Sequence, residues 1–357
     1  MTVLSAINPQ SFGNTLLLFQ LDKYNAQKVQ REQKNVSDTI SRQVNSVNQK
    51  ADKYRDLKED IRKAINFIDR LVSRGDNIKN LLDKMATITF KANYGIPLSF
   101  PGYSNSFDSY LRRFNIEAED MGINPNLLGS ASQVKYSYAY KINGATKTLS
   151  PTFVGSDYTI KESGDYIWRR DRDLGQLRRF VDSTGAYTGT YVGLSSSNIQ
   201  LDSFTAADDT VTFTTAFGTA AATQYSGTIT RSGVKVLDGW LYAGLSTADG
   251  RTRAEDDLHD AEDILLGVIS AFKSAQTAAS FYDDQIDIKL AGFNDLIEEK
   301  TAAGLVEMKA AEVDSFRLNN INTALVSSAM SVRGLYLEAI SLGKNTDLTK
   351  ALVNLVA

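Results

Sequence analysis

Where helical periodicity falls along this chain limits its fold more than any other feature. Apolar residues recur at steps of three and four over residues 29–85 and again over 254–341. Between them, residues 134–245 carry short Thr/Tyr/Val-rich runs punctuated by glycine. The expected fold class is therefore α+β: long antiparallel helical-bundle or coiled-coil arms from both termini, with an inserted, mainly β outer domain. A chain whose two ends are helical partners is built as an assembly subunit rather than as an enzyme.

The N-terminal arm reads Val36, Ile40, Val44, Val47, Ala51, Tyr54, Leu57, Ile61, Ile65, Ile68, Val72, Ile78, Leu82, Met85, a long amphipathic helix. Gly75 falls inside that pattern and predicts a kink or a break. The C-terminal arm steps through Leu258, Ala261, Leu265, Val268, Phe272, Ala275, Ala279, Tyr282, Ile286, Leu290, Phe293 and Ile297, a near-heptad seam that needs another helix alongside. Residues 254–302 would span ~70 Å at the helical rise per residue. Thr252, followed by Glu255, Asp256 and Asp257, suits an N-cap with an acidic first turn. After Gly304 a second helix is expected through Val313, Phe316, Ile321, Leu325 and Met330 towards Leu342. The predicted seam between the arms takes Ile61, Ile65, Ile68 and Leu82 from one side. From the other it takes Leu265, Phe272, Tyr282, Ile286, Leu290 and Phe293. Charge agrees: residues 1–90 hold 15 Lys+Arg against 10 Asp+Glu (net +5), and residues 250–357 hold 10 against 17 (net −7). Opposite charge selects the partner more than it adds stability.

In the middle, residues 134–142 alternate in polarity and run straight into Asn143-Gly144, the strongest short hairpin signal. Further strands are expected at 187–192, 210–214, 225–230 and 234–237. Residues 168–180 form a charged interruption, and residues 93–130 an irregular connector with a short helix near 107–114.

Catalytic and metal chemistry finds little material. The sequence has no cysteine and one histidine, His259, which removes disulfides, thiolate nucleophiles and most acid–base or metal sites. His259, with Asp256, Asp257, Asp260 and Asp263 around it, is expected to lie on a solvated helix start, since no calcium-loop spacing is present. Arg169, Arg170, Arg172, Arg178 and Arg179 form the one basic cluster, which Asp171 and Asp173 are expected to neutralise locally. A net charge of −3 argues against nucleic acid. No catalytic, metal or cofactor-binding residues are assigned, and no cofactor is expected. The start lacks a basic n-region and a sustained apolar core, and no apolar run reaches the ~18 residues of a membrane span.

The segment Gly304-Leu305-Val306-Glu307-Met308-Lys309-Ala310-Ala311-Glu312 resembles the flagellin stretch in which a Leu-Val-Asp run precedes the last helix. Ala329-Met330-Ser331 and Glu338-Ala339-Ile340-Ser341-Leu342 resemble the flagellin terminal helix. Residues 254–297 look like its long outer helix, and 78–85 like the Leu-Leu-x-x-Met end of the second flagellin helix. The resemblance covers roughly residues 30–90 and 250–342. Two departures stand out: the usual Ser-Gly-Leu turn of the N-terminal arm is replaced by Ile40-Ser41-Arg42-Gln43-Val44 in helical register, and the chain continues from 343 to 357 past the expected end.

The resemblance to bacterial flagellin implies a structural subunit that polymerises through its terminal helices into an extracellular filament at the cell surface, exported without a cleavable signal peptide. Partners implied are further copies of the chain, the flagellar export machinery, and hook-associated and cap proteins, with no nucleic acid and no membrane span. Polymerisation contacts are expected at Leu16, Leu17, Leu18, Phe19, Leu21, Leu335, Leu337, Ile340 and Leu342. The matching domain plan is 1–30 N-terminal core arm, 31–92 helical domain, 93–133 connector, 134–245 β-rich outer domain, 250–303 helical domain and 304–357 C-terminal core arm. A low-copy hook–filament junction protein, or a surface or phage-tail glycan-binding adhesin, are the alternatives.

Overall fold

The computed structural model describes residues 9–95, 99–119, 126–129, 138–142, 145–172 and 174–343, apart from the side chains of 9–15, 336, 337 and 339–343. Its elements run α1 (Pro9–Asn93), α2 (Phe100–Glu119), β1 (Tyr138–Ile142), β2 (Ala145–Leu149), β3 (Ser156–Glu162), β4 (Tyr166–Asp171), β5 (Gln176–Val181), β6 (Tyr187–Gly193), β7 (Ile199–Thr205), β8 (Thr210–Thr215) and β9 (Thr223–Gly233). A 3-10 segment (Gly239–Leu245) and α3 (Ala248–Gly343) complete the order. The five prolines explain the partition. Pro9 opens α1 and Pro101 sits in the first turn of α2, where a missing N–H costs nothing; none interrupts α1 or α3. The long terminal helices α1 and α3 pack against each other, and the β sheet is inserted between them in sequence.

The chain divides into two compact units: Met1–Arg55 with Asp287–Ala357, and Asp56–Ile286. In the first, α1 and α3 are antiparallel. Tyr54 meets Phe293 with ring centroids 5.5 Å apart, Ile40 faces Gly304, and Asn25 hydrogen-bonds Asn319. The packed stripe on α1 is Leu18, Leu21, Asn25, Val29, Gln33, Val36, Ile40, Val44, Val47, Ala51 and Tyr54. Its mean step is ~3.6 residues, the pitch of a straight helix rather than the 3.5 of a supercoiled pair. α3 runs through Gly304 without a break, contrary to the two helices expected there. Gly304 is buried, and a methyl group in its place would overlap Ile40. The glycine is thus a contact point between helices rather than a helix end.

In the second unit, Ile61, Ala64, Ile68, Leu71, Ile78, Leu82 and Met85 of α1 are buried, as are Leu258, Ala261, Leu265, Ile269, Phe272 and Ala279 of α3. Full burial of each larger side chain contributes about 1.5–3 kcal/mol before entropy is subtracted. Arg62–Asp283 at 3.4 Å, Gln276–Asp69 at 3.2 Å and Lys79–Glu262 at 2.9 Å flank this seam. Two expectations need correction. Gly75 does not break α1; a Cβ there would come within 2.6 Å of Ile269, so it too is a close-approach position. Thr252 is no N-cap, because α3 already starts at Ala248.

The sheet has seven antiparallel strands in the order β6-β5-β4-β3-β9-β8-β7, two meanders joined through β3 and β9 in register from Ser156↔Gly233 to Glu162↔Gly227. Trp168, Phe213 and Trp240 form its core, with 5.5 Å between the ring centroids of each neighbouring pair. α2 lies against the 3-10 segment, where Phe107 and Tyr242 meet edge to face at 5.7 Å. The short helix expected near 107–114 is the centre of the 20-residue α2. The charged interruption at 168–180 is instead the β4–β5 hairpin, and residues 234–237 follow β9 without being a strand. β1 and β2 pair with Ile142 opposite Ala145, as the Asn-Gly signal requires, although residues 143 and 144 lie outside the described ones.

Candidate assembly surface

A helix that packs on one neighbour needs one apolar stripe, and the α1 part of the first unit obeys this. Beyond Tyr24, its exposed positions up to residue 55 carry no large apolar side chain among the described residues. α3 behaves differently. Its packed stripe is Leu290, Phe293, Ile297, Gly304, Met308, Ala311, Ser315, Asn319, Asn322 and Val326. Leu305, Val306, Val313, Phe316, Ile321, Leu325, Val332 and Leu335 all lie exposed outside it, with Val306 at 70% and Phe316 at 69%. Positions 313, 316, 321, 325 and 330, the apolar residues through which a helix is expected, are therefore on the outward face. Residues 318–332 contain no charged side chain at all. Large apolar side chains exposed outside the packed stripe meet water at a cost, and such surface is normally covered by a neighbour. Among the described residues, α3 is also long and apolar enough to cross a membrane by length and composition alone.

The tip of α1 adds to the surface. Leu16, Leu17 and Phe19 are exposed, Phe19 at 67%, while Leu18 and Leu21 are half-buried. Leu335 is 66% exposed on α3. Leu337, Ile340 and Leu342 belong to the helix, but their side chains lie outside the described residues. Between the two helices, residues 25–32 and 311–321 line an open groove of 390 Å³. Of the predicted seam, Ile61, Ile68, Leu82, Leu265, Phe272 and Ile286 are buried; Ile65, Tyr282, Leu290 and Phe293 are half-buried.

The polar side chains elsewhere are engaged with one another. His259 is exposed, as are Asp256, Asp260 and Asp263, and no metal-capable group of three converges among the described residues. Asp257 departs from the expected solvated turn: it takes Arg231 through both oxygens at 2.9 and 3.0 Å and accepts the Tyr242 hydroxyl at 2.6 Å. Burial raises its carboxyl above the usual range, against the pull of Tyr242 and Arg231. The arginine cluster is neutralised, but mostly by residues distant in sequence. Arg170 pairs with Asp238 at 2.5 Å, Arg172 with Glu119 and Asp157, Arg179 with Glu162 at 2.7 Å. Only Arg178 uses an interleaved partner, Asp171 at 3.3 Å; Arg169 lies over the Phe180 ring, and Asp173 is outside the described residues.

No protein-family model and no curated protein matches this sequence. Among solved structures, a crystal structure of FlgL from Xanthomonas campestris is similar, at 11% identity over 74% of this chain and 99% of that one, with a TM-score of 0.28. The layout that the flagellin resemblance implies is present in the chain itself. Both terminal arms are unbroken helices, they pack together, and an antiparallel β sheet is inserted between them.

Proposed function

We propose that this chain is a flagellin-like structural subunit that joins an extracellular flagellum through its terminal helices and performs no catalysis. One observation carries the reading: α3 keeps large apolar side chains exposed on several sides between Leu305 and Leu335 while already packed on α1. Apolar area of that extent outside an intramolecular seam is suited to burial between copies or against neighbouring axial subunits. The exposed tip of α1, at Leu16, Leu17 and Phe19, extends the same surface. The inserted sheet, whose aromatic core is independent of these arms, fits an outward module.

Two places in a flagellum suit such a subunit: the bulk filament, and the low-copy junction between hook and filament. Copy number separates them. Antibody labelling of the cell surface, with quantification in the sheared flagellar fraction, is expected to find the protein either along the filament or confined to its base. The reading is overturned if the antibody labels no flagellum and a strain lacking the gene builds flagella and swims normally.

A further inference from the structure

The two faces of the seven-stranded sheet differ in character. One carries Tyr158, Ile160, Trp168, Leu177 and Phe213, all buried. Strand alternation puts the intervening residues on the other face, where Lys161, Arg169, Tyr187, Tyr191, Thr228 and Thr230 are exposed. The register lines these up in two rows across five strands. One row runs Thr230, Thr159, Arg169, Arg178, Tyr191, and the next Thr228, Lys161, Ile167, Phe180, Tyr187. At the usual spacing of neighbouring strands each row is about 19 Å long.

The first row sets Arg169 directly opposite Arg178. Like charges at such a cross-strand pair weaken it, and only one of the two is offset. Arg178 reaches Asp171 at 3.3 Å and lies over the Tyr187 ring, and in the next row Lys161 reaches Asp182 at 2.9 Å. Arg169 makes no ion pair among the described residues. Its guanidinium lies 5.3 Å from the centre of the Phe180 ring, a contact that orients the group without neutralising it. Beside these cations, Tyr187 and Tyr191 are 43% and 59% exposed on β6, the edge strand. The hydroxyls of Thr159, Thr228 and Thr230 continue the two rows on the opposite side.

A partner for this face has to bring an anion to Arg169, flat C–H surface to the tyrosine rings and hydroxyl groups to the threonines. A chain of acidic sugars carries all three at a repeat short enough to use both rows. Nucleic acid would need several uncompensated cations where this face offers Arg169, on a protein of net charge −3.

We propose that the exposed face of β3 to β6 binds an acidic polysaccharide, with a sugar carboxylate on Arg169 and sugar rings against Tyr187 and Tyr191. The site is separate from the assembly surface, since all of its residues lie in the unit Asp56–Ile286, so either role can fail without the other.

Biolayer interferometry of the full-length protein on immobilised polygalacturonate, a polymer of acidic sugars, tests this. Saturable binding is expected, at least tenfold tighter than to dextran, its neutral counterpart, or to polyglutamate, an acidic peptide. Arg169→Gln and Tyr191→Ala alter exposed side chains, and each should weaken binding at least fivefold in a chain with an unchanged circular dichroism spectrum. Lys34→Gln removes the same charge from an exposed position of α1 and should leave binding unchanged. Four results would overturn the proposal: no saturable binding to polygalacturonate, dextran or polyglutamate bound as tightly, unchanged binding in both sheet variants, or equal losses in Lys34→Gln and Arg169→Gln.

Discussion

The side-chain amide of Asn25 on α1 donates to the side-chain oxygen of Asn319 on α3 at 2.5 Å, joining residues 294 positions apart inside the packed stripe of the first unit. Asn25 is buried, and a buried polar pair of this kind fixes the register of two helices that apolar contacts alone would let slide. Asn319→Leu should destabilise the helix pair by about 1–3 kcal/mol, because Asn25 loses its partner in a buried site. Adding Asn25→Leu should recover that loss while loosening the register. Urea unfolding followed by circular dichroism, run as a double-mutant cycle, measures both; equal destabilisation by single and double variants would contradict it.

Gly304 and Gly292 lie on the same helix and should respond oppositely to alanine. At 292 nothing lies near an added Cβ, so Gly292→Ala should stabilise by ~0.5–1 kcal/mol through helix propensity. At 304 the added methyl meets Ile40, and overpacking should cost about 1–3 kcal/mol despite the better propensity. Ile40→Ala in the Gly304→Ala background should return part of the loss. Thermal melts of these three variants and the parent decide the matter.

Asp108 links the sheet unit to pH. Burial, and then the neighbouring Asp238 carboxylate, push its carboxyl up to about 8, whereas in the unfolded chain it titrates near 4. Between those values the native state holds a proton that the unfolded state has lost. Stability from this group is therefore full below about pH 4 and falls as pH rises towards 8. Asp108→Asn keeps an oxygen for the Gly239 N–H and carries no charge. The variant's advantage over the parent should grow from pH 4 to pH 8, on the order of 1–3 kcal/mol at the upper end. Denaturant titrations of both proteins across that range provide the check; a constant difference would rule out the titration.

Phe316→Glu and Leu325→Glu place charges on the outward face of α3, away from the stripe that meets α1. Unfolding free energy of the isolated subunit should change by no more than ~0.5 kcal/mol. Assembly should fail, as judged by electron microscopy and by the flagellar fraction of cells that express the variant. Normal assembly by both variants would move the contact surface elsewhere.

The long helices were legible because their apolar spacing persists over many turns, and the β1–β2 hairpin because Asn143-Gly144 names its turn. What sequence obscured has physical causes. In β4 the strand alternation is hidden because an inward position, Arg170, is a buried arginine whose partner Asp238 is 68 residues away. Gly75 and Gly304 look like breaks because sequence shows a poor helix former and not the isoleucine packed on it. At 313–330 one periodic signal served two faces, and only the position of α1 says which is inward.

The separation of Asn25 from Asn319 also sets an order in time. Strands β4 to β6 and β7 to β9 pair with near neighbours in sequence, so they close short loops and form early. The first part of α1 must wait for a partner 294 positions further along the chain. A long helix without its packing face is only marginally stable in water, so a chain emerging N-terminus first carries an open arm until α3 arrives. Completion of the helix pair is thus tied to synthesis of α3.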